Sequence, residues 1–134
     1  MNKLRGQFAF VIYDKITNEL FMARDRIGIK PLYYSVNDNW ILFGSEIKAI
    51  ELSKLIEFEP DIDSYLAYLR HLCVPADSTG NKNIKKLEPG QFIRIDKNGK
   101  ISKKIYWDPF TFSVNHDLNE KNVCLLYTSD AADD

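Results

Sequence analysis

Three times along this chain two short apolar runs flank a cluster of turn residues, and that arrangement commits it to antiparallel sheet. From Gln7 to Asp14, Phe8, Phe10 and Ile12 fall on one face and Ala9, Val11 and Tyr13 on the other. Both faces are apolar, which predicts a buried central strand. Lys15-Ile16-Thr17-Asn18 supplies a turn, and Glu19 to Asp25, carrying Leu20, Phe21, Met22 and Ala23, returns as its hairpin partner. Leu32 to Val36 and Trp40 to Gly44 repeat the pattern across Asn37-Asp38-Asn39, so the first four strands are expected to form one meander. Gln91 to Asp96 and Ile101 to Tyr106 repeat it across Asn98-Gly99, the strongest short hairpin signal in the chain.

Between the hairpins the pattern changes. Asp25-Arg26-Ile27-Gly28-Ile29-Lys30-Pro31 predicts a shaped loop, because Gly28 tolerates positive φ and Pro31 removes a ladder donor and drives Lys30 extended. Ser45 is expected to cap a short helix over Glu46 to Leu52, with Ile47 and Ile50 on one face. After Pro60, Asp61 or Asp63 caps a second helix through Arg70, in which Leu66 and Leu69 lie three apart. Val74 to Asn83, polar and holding Pro75 and Gly80, reads as loop. Hairpins with two helices place the chain in the α+β class with antiparallel sheets.

Eighteen basic against nineteen acidic residues leave a formal net charge of -1, which gives no whole-chain attraction to nucleic acid or to a membrane surface. A small molecule or a protein is the expected partner. No apolar run approaches the about 18 residues of a membrane span. Cys73 and Cys124 form no C-x-x-C pair, which fits a reducing, cytoplasmic setting.

Several clusters invite a chemical reading and have a plainer one. Arg24, Asp25 and Arg26 resemble a catalytic or phosphate-binding group, but charges at a strand end before a Gly-Pro loop are expected to pair with one another and fix the loop. Ser45 and Glu46 could pass for nucleophile and base; capping and a first-turn carboxylate explain them. His71 and His116 lack metal-ligand spacing. Lys82, Lys85 and Lys86 read as a solvated basic loop without aromatic interleaving. Asp61 and Asp63 are explained by capping rather than by paired-carboxylate chemistry.

Three stretches in order carry a resemblance: Leu4 to Asp14 (LRGQFAFVIYD); Ala23 to Tyr34 (ARDRIGIKPLYY), followed by Gly44 to Ala49 (GSEIKA); and Ile84 to Gly90 (IKKLEPG) leading to Tyr106-Trp107-Asp108. Together they resemble the class II glutamine amidotransferase domain of glutamine-dependent asparagine synthetases. That resemblance implies an N-terminal-nucleophile hydrolase, an αββα sandwich of antiparallel sheets between helices. It also implies a mechanism. A cysteine at the mature N-terminus, with its own α-amino group as base, attacks the glutamine amide and releases ammonia. A second domain of the same chain then uses ATP, with magnesium, to amidate aspartate. The parent protein is expected to act as a homodimer.

Within this chain the resemblance transfers only structural positions: Arg24, Asp25, Gly28, Pro31, Ser45 and Glu46. No catalytic, cofactor-binding or metal residue is assigned, because position 2 is Asn2 and the family's glutamine-binding and oxyanion residues precede the first strand. Residues 1–112 are therefore expected to be the later part of the amidotransferase domain, inactive alone and prone to associate through a strand stripped of neighbours. Residues 113–134 are set apart as a tail, whose last eleven (124–134) look like a translated sequencing adapter. The alternatives are an amidotransferase acting on a sugar or peptide, and a non-catalytic binding module.

Overall fold

The computed structural model describes residues 3–37, 39–75 and 77–111. Expectations resting on Asn2, Asp38, Phe112, His116, Cys124 and the tail from residue 113 lie outside the described residues.

Polar turn residues close each hairpin. β1 (Ala9–Asp14) and β2 (Glu19–Arg24) join through a turn in which Asp14 Oδ1 accepts from the amides of Ile16 and Thr17 at 2.8 and 3.3 Å. Asn37 Oδ1 does the same for the amides of Asn39 and Trp40 between β3 (Tyr33–Val36) and β4 (Ile41–Gly44). Between β6 (Gln91–Ile95) and β7 (Ile101–Ile105), Asp96 Oδ1 takes the amides of Asn98 and Lys100, and Gly99 adopts φ 79°.

The first two hairpins do not run on as one meander. β2 pairs with β6, Met22 opposite Ile93, giving a four-stranded sheet in the order β1-β2-β6-β7. β3 belongs to a second sheet, β4-β3-β5, where β5 (Lys85–Lys86) pairs with Tyr33 and Tyr34. The loop after Arg24 carries the chain out of the first sheet, and β6 occupies the edge of β2 that a meander would have given to β3. Lys85 and Lys86 are consequently half-buried strand residues rather than a solvated loop.

One apolar cluster fills the space between the sheets. Leu20 and Met22 of β2 and Ile93 and Ile95 of β6 meet Leu32, Tyr34 and Leu87 from the side of the second sheet. The period of two puts Phe10, Phe21 and Phe92 on the opposite face of the four-stranded sheet, with neighbouring ring centroids 6.1 and 5.1 Å apart. β1, expected to be central and buried, is an edge among the described residues: its one strand partner is β2, and Ile12 and Tyr13 are each 56% exposed.

The helices correct one further expectation and bear out another. α1 spans Ile47–Glu51, one residue later than expected, so Glu46 occupies the cap position with extended backbone and Ser45 lies too early to reach the free amides. Ile50 is buried against the second sheet. α2 spans Ile62–His71 and is capped by Asp61, which accepts from the Ser64 amide at 3.4 Å and hydroxyl at 2.7 Å. That hydroxyl bond leads in lowering the Asp61 carboxyl below its ordinary value. Ser64 is the buried residue of α2, and Leu66 and Leu69 face outward.

Candidate functional site

Arg24 and Asp25 end β2 as two ionisable residues 7% and 2% exposed, and burying such groups is costly unless every polar atom finds a partner. The structure supplies those partners from main chain. Asp25 Oδ1 accepts from the amides of Ile27, Gly28 and Ile29 at 3.1, 2.6 and 3.0 Å, and Oδ2 from that of Lys30 at 3.0 Å. Four successive donors thus converge on one carboxylate. Burial alone would raise this carboxyl, but the four amides outweigh it and hold it below the ordinary carboxylate value.

Arg24 grips the same loop by its carbonyls. Its Nε donates to Lys30 O at 2.7 Å, Nη2 to Gly28 O at 2.5 Å and Nη1 to Leu87 O at 2.6 Å. The last bond spans 63 positions of sequence and ties the loop to the end of the second sheet. Burial lowers the guanidinium's affinity for its proton, and neighbouring Asp25 opposes that shift. Arg24, Asp25 and Arg26 do not pair with one another through side-chain bonds, as the sequence reading expected. The first two bond to backbone instead, and Arg26 Nε is buried with no hydrogen-bond partner among the described residues.

Gly28 sits at the centre, at φ 73°. A Cβ there would lie 2.8 Å from Pro89 Cγ and 3.0 Å from Arg24 Cζ, so the position excludes side chains by space as well as by backbone. Pro31 follows directly and leads through Leu32, whose carbonyl accepts from the Leu87 amide at 2.8 Å, into β3. The segment from Leu87 to Gly90 closes the other side. Gly90 N donates to Asp25 O at 2.9 Å, and Gly90 O accepts from Tyr106 N at 2.8 Å and from Trp107 N at 3.3 Å. Gly90, at φ 65°, could carry no Cβ without colliding with the Trp107 carbonyl oxygen. Tyr106 completes the knot by donating its hydroxyl to Arg24 O at 2.6 Å. Burial, then Asp25, holds that phenol in its neutral form to higher pH than usual.

The structure therefore brings together Arg24, Asp25, Gly28 and the Pro31 end of the loop. It does not bring Ser45 and Glu46 into a reactive pair: both are exposed, and neither side chain makes a hydrogen bond among the described residues. Leu87, Pro89, Gly90 and Tyr106 are the members that analysis of the loop alone missed. Their signal was the Pro-Gly dipeptide, which marks a tight turn, but which segment that turn would touch is not written in it. Chemically, the hydrogen bonds that Asp25 and Arg24 make all go to main chain of the loop and of Leu87. The constellation is a clamp that fixes a loop and the point where the chain leaves β7.

Residues 1–107 match the family described as glutamine amidotransferase domain. The chain is 39% identical over 106 residues to asparagine synthetase [glutamine-hydrolyzing] 1 of Bacillus subtilis, covering 79% of this chain and 17% of that protein. It is 33% identical over 133 residues to putative asparagine synthetase [glutamine-hydrolyzing] 2 of Methanocaldococcus jannaschii, covering 95% and 26%. It is 35% identical over 109 residues to amidase chry2 of Gibberella zeae, covering 81% and 16%. The chain thus spans about a quarter or less of the length of these relatives.

Proposed function

Because this chain belongs to the glutamine amidotransferase domain family, we propose that it forms part of the ammonia-producing domain of a glutamine-hydrolysing asparagine synthetase. The carrying observation is the extent of the family match, which ends at residue 107, where Trp107 rests on Gly90 and the chain leaves the sheets. Relatives named as asparagine synthetases in a bacterium and an archaeon support the acceptor.

In this reading the two sheets are the inner layers of the four-layer αββα sandwich of N-terminal-nucleophile hydrolases, and the clamp holds one wall of it. The glutamine-attacking thiol belongs outside the described residues. Cys73, the described thiol, is exposed past the end of α2 and makes no hydrogen bond that would activate it. Ammonia released from glutamine would serve a synthetase domain of the same protein, where ATP and magnesium support amidation of aspartate. The described residues contain no group of three or more His, Cys, Asp or Glu able to hold a metal ion, so no step of that amidation is assigned to them. No helix among them is long and apolar enough to cross a membrane. The proposed setting is a cytoplasmic homodimer, with no nucleic-acid partner.

The full-length gene product, given glutamine, aspartate and ATP with magnesium, should yield asparagine, glutamate, AMP and pyrophosphate in equal amounts. The 134-residue chain alone should release no glutamate. The similarity to an amidase from a fungus favours a second reading, an amidotransferase with a different acceptor. Glutamine hydrolysis by the full-length protein that no aspartate stimulates would favour this one and sink the first.

A further inference from the structure

Asn98 and Gly99 carry a chemistry that the clamp does not use. In an Asn-Gly pair the glycine has no Cβ to shield its amide nitrogen, which can attack the carbonyl carbon of the asparagine side chain. Gly99 has nothing within 4 Å of its would-be Cβ, so no neighbour among the described residues blocks that approach. What opposes it is the turn itself. Lys97, Asn98 and Gly99 join Asp96 to Lys100, and Gly99 N donates to Asp96 O at 2.9 Å. Lys97 and Asn98 keep negative φ while Gly99 stands at φ 79°, which makes this a type I turn followed by a left-handed glycine.

That geometry works against the attack in two ways. Ring closure needs the Asn98 Cβ to swing nearly level with Gly99 N about the Cα–C bond, and the ψ of about 0° at this position of a type I turn holds it well away. Attack also needs Gly99 N to give up its proton, which Asp96 O engages. Asp96 Oδ1 tightens the hold by accepting from the amides of Lys100 and Asn98 at 2.9 and 2.8 Å. Those two amides lead in lowering the Asp96 carboxyl below its ordinary value, so it is ionised at neutral pH and its charge disfavours an amide anion beside it.

From this turn we propose that Asn98 is a deamidation site guarded by the β6–β7 hairpin: its amide survives while the turn is closed and is lost when the turn opens. In the open chain Gly99 N bonds to Asn98 Cγ, the Cγ–Nδ2 bond breaks, and ammonia leaves with the proton given up by Gly99. Water then opens the five-membered imide at either carbonyl, leaving an aspartyl or an isoaspartyl residue at position 98. The isoaspartyl product lengthens the main chain by one carbon inside the turn, so Asp96 Oδ1 can no longer serve both amides and the hairpin cannot close in its old register. The inference is independent of the synthetase reading.

Peptide mass spectrometry tests it, by following the amide-to-acid mass change at Asn98 in the 134-residue chain at pH 8 and 37 °C. The open reference is a synthetic peptide of residues 95–102, too short to hold a hairpin. The chain should lose the amide at least about tenfold more slowly than the peptide, because its turn must open first. Asp96→Ala should speed the loss in the chain roughly fivefold. Asp14→Ala, which removes the equivalent bonds from the β1–β2 turn, should leave the rate at Asn98 unchanged, and circular dichroism should find both variants folded. Equal rates in chain and peptide, an Asp96→Ala chain that loses the amide no faster, or equal acceleration by the two variants would each overturn the proposal.

Discussion

Replacing Gly28 by alanine adds one methyl group, and the clamp dictates its cost. The left-handed backbone at φ 73° costs an L-residue about 1 to 2 kcal/mol. The new Cβ would also stand 2.8 Å from Pro89 Cγ and about as close to the Arg24 guanidinium, and the proline ring has little freedom to retreat. Arg24 must then yield, and losing its bond to Gly28 O removes a charge-assisted hydrogen bond worth about 1.5 to 3 kcal/mol. The expected total is about 2.5 to 5 kcal/mol. Gly99→Ala supplies the control, since Gly99 has nearly the same φ, 79°, with nothing within 4 Å of its would-be Cβ. It should cost the backbone part only, about 1 to 2 kcal/mol. Urea unfolding at 25 °C with an unchanged m-value would measure both. Equal losses in the two variants, within about 0.5 kcal/mol, would refute the idea that Gly28 is required by the packing of Arg24 and Pro89.

The carboxylate and the guanidinium give two more tests. Asp25→Asn keeps the shape but turns an amide donor towards a backbone donor and removes the charge, so it should cost about 2 to 3 kcal/mol at pH 7. Because the folded carboxyl is held below its unfolded value near 3.9, its contribution is complete above about pH 4 and is lost as pH falls through the folded value. The gap between the unaltered chain and Asp25→Asn should therefore shrink from pH 5 towards pH 2, and a constant gap would show that the four amides do not favour the charged form. Arg24→Lys keeps the charge but cannot reach the Lys30, Gly28 and Leu87 carbonyls at once, so it should cost more than about 2 kcal/mol; a loss below about 0.5 kcal/mol would show that the charge alone matters.

What could be read from the sequence followed the range of the interaction that decides it. The three hairpins were legible because Asp14, Asn37 and Asp96 act on amides two to four residues ahead. Whether those hairpins join into one sheet depends on which edge of β2 is free, and β6, some 70 residues later, settles that. The α1 boundary failed on a smaller scale. Ser45 was expected as the cap and Glu46 in the first turn, but helical backbone begins one residue later and Glu46 takes the cap position without a side-chain cap bond. α2 was legible, because its cap at Asp61 and the three-residue spacing of Leu66 and Leu69 are local, but that spacing says nothing of which way the stripe points.

The same distinction explains why an Arg-Asp pair before a glycine reads ambiguously as catalysis or scaffold. A catalytic carboxylate must keep a lone pair available to a substrate proton, and a substrate-binding arginine must keep a donor free. Asp25 spends its oxygens on four amides of its own loop, while Arg24 directs its bonds to carbonyls at 28, 30 and 87. Half of that network is local and could be foreseen. The other half needs Leu87 and Gly90 to arrive from the far side of the second sheet, and only then can burial be tolerated by both charges. The loop's geometry therefore depends on two strands' worth of distant chain, and the hydrogen bonds of its two charged residues go to that scaffold.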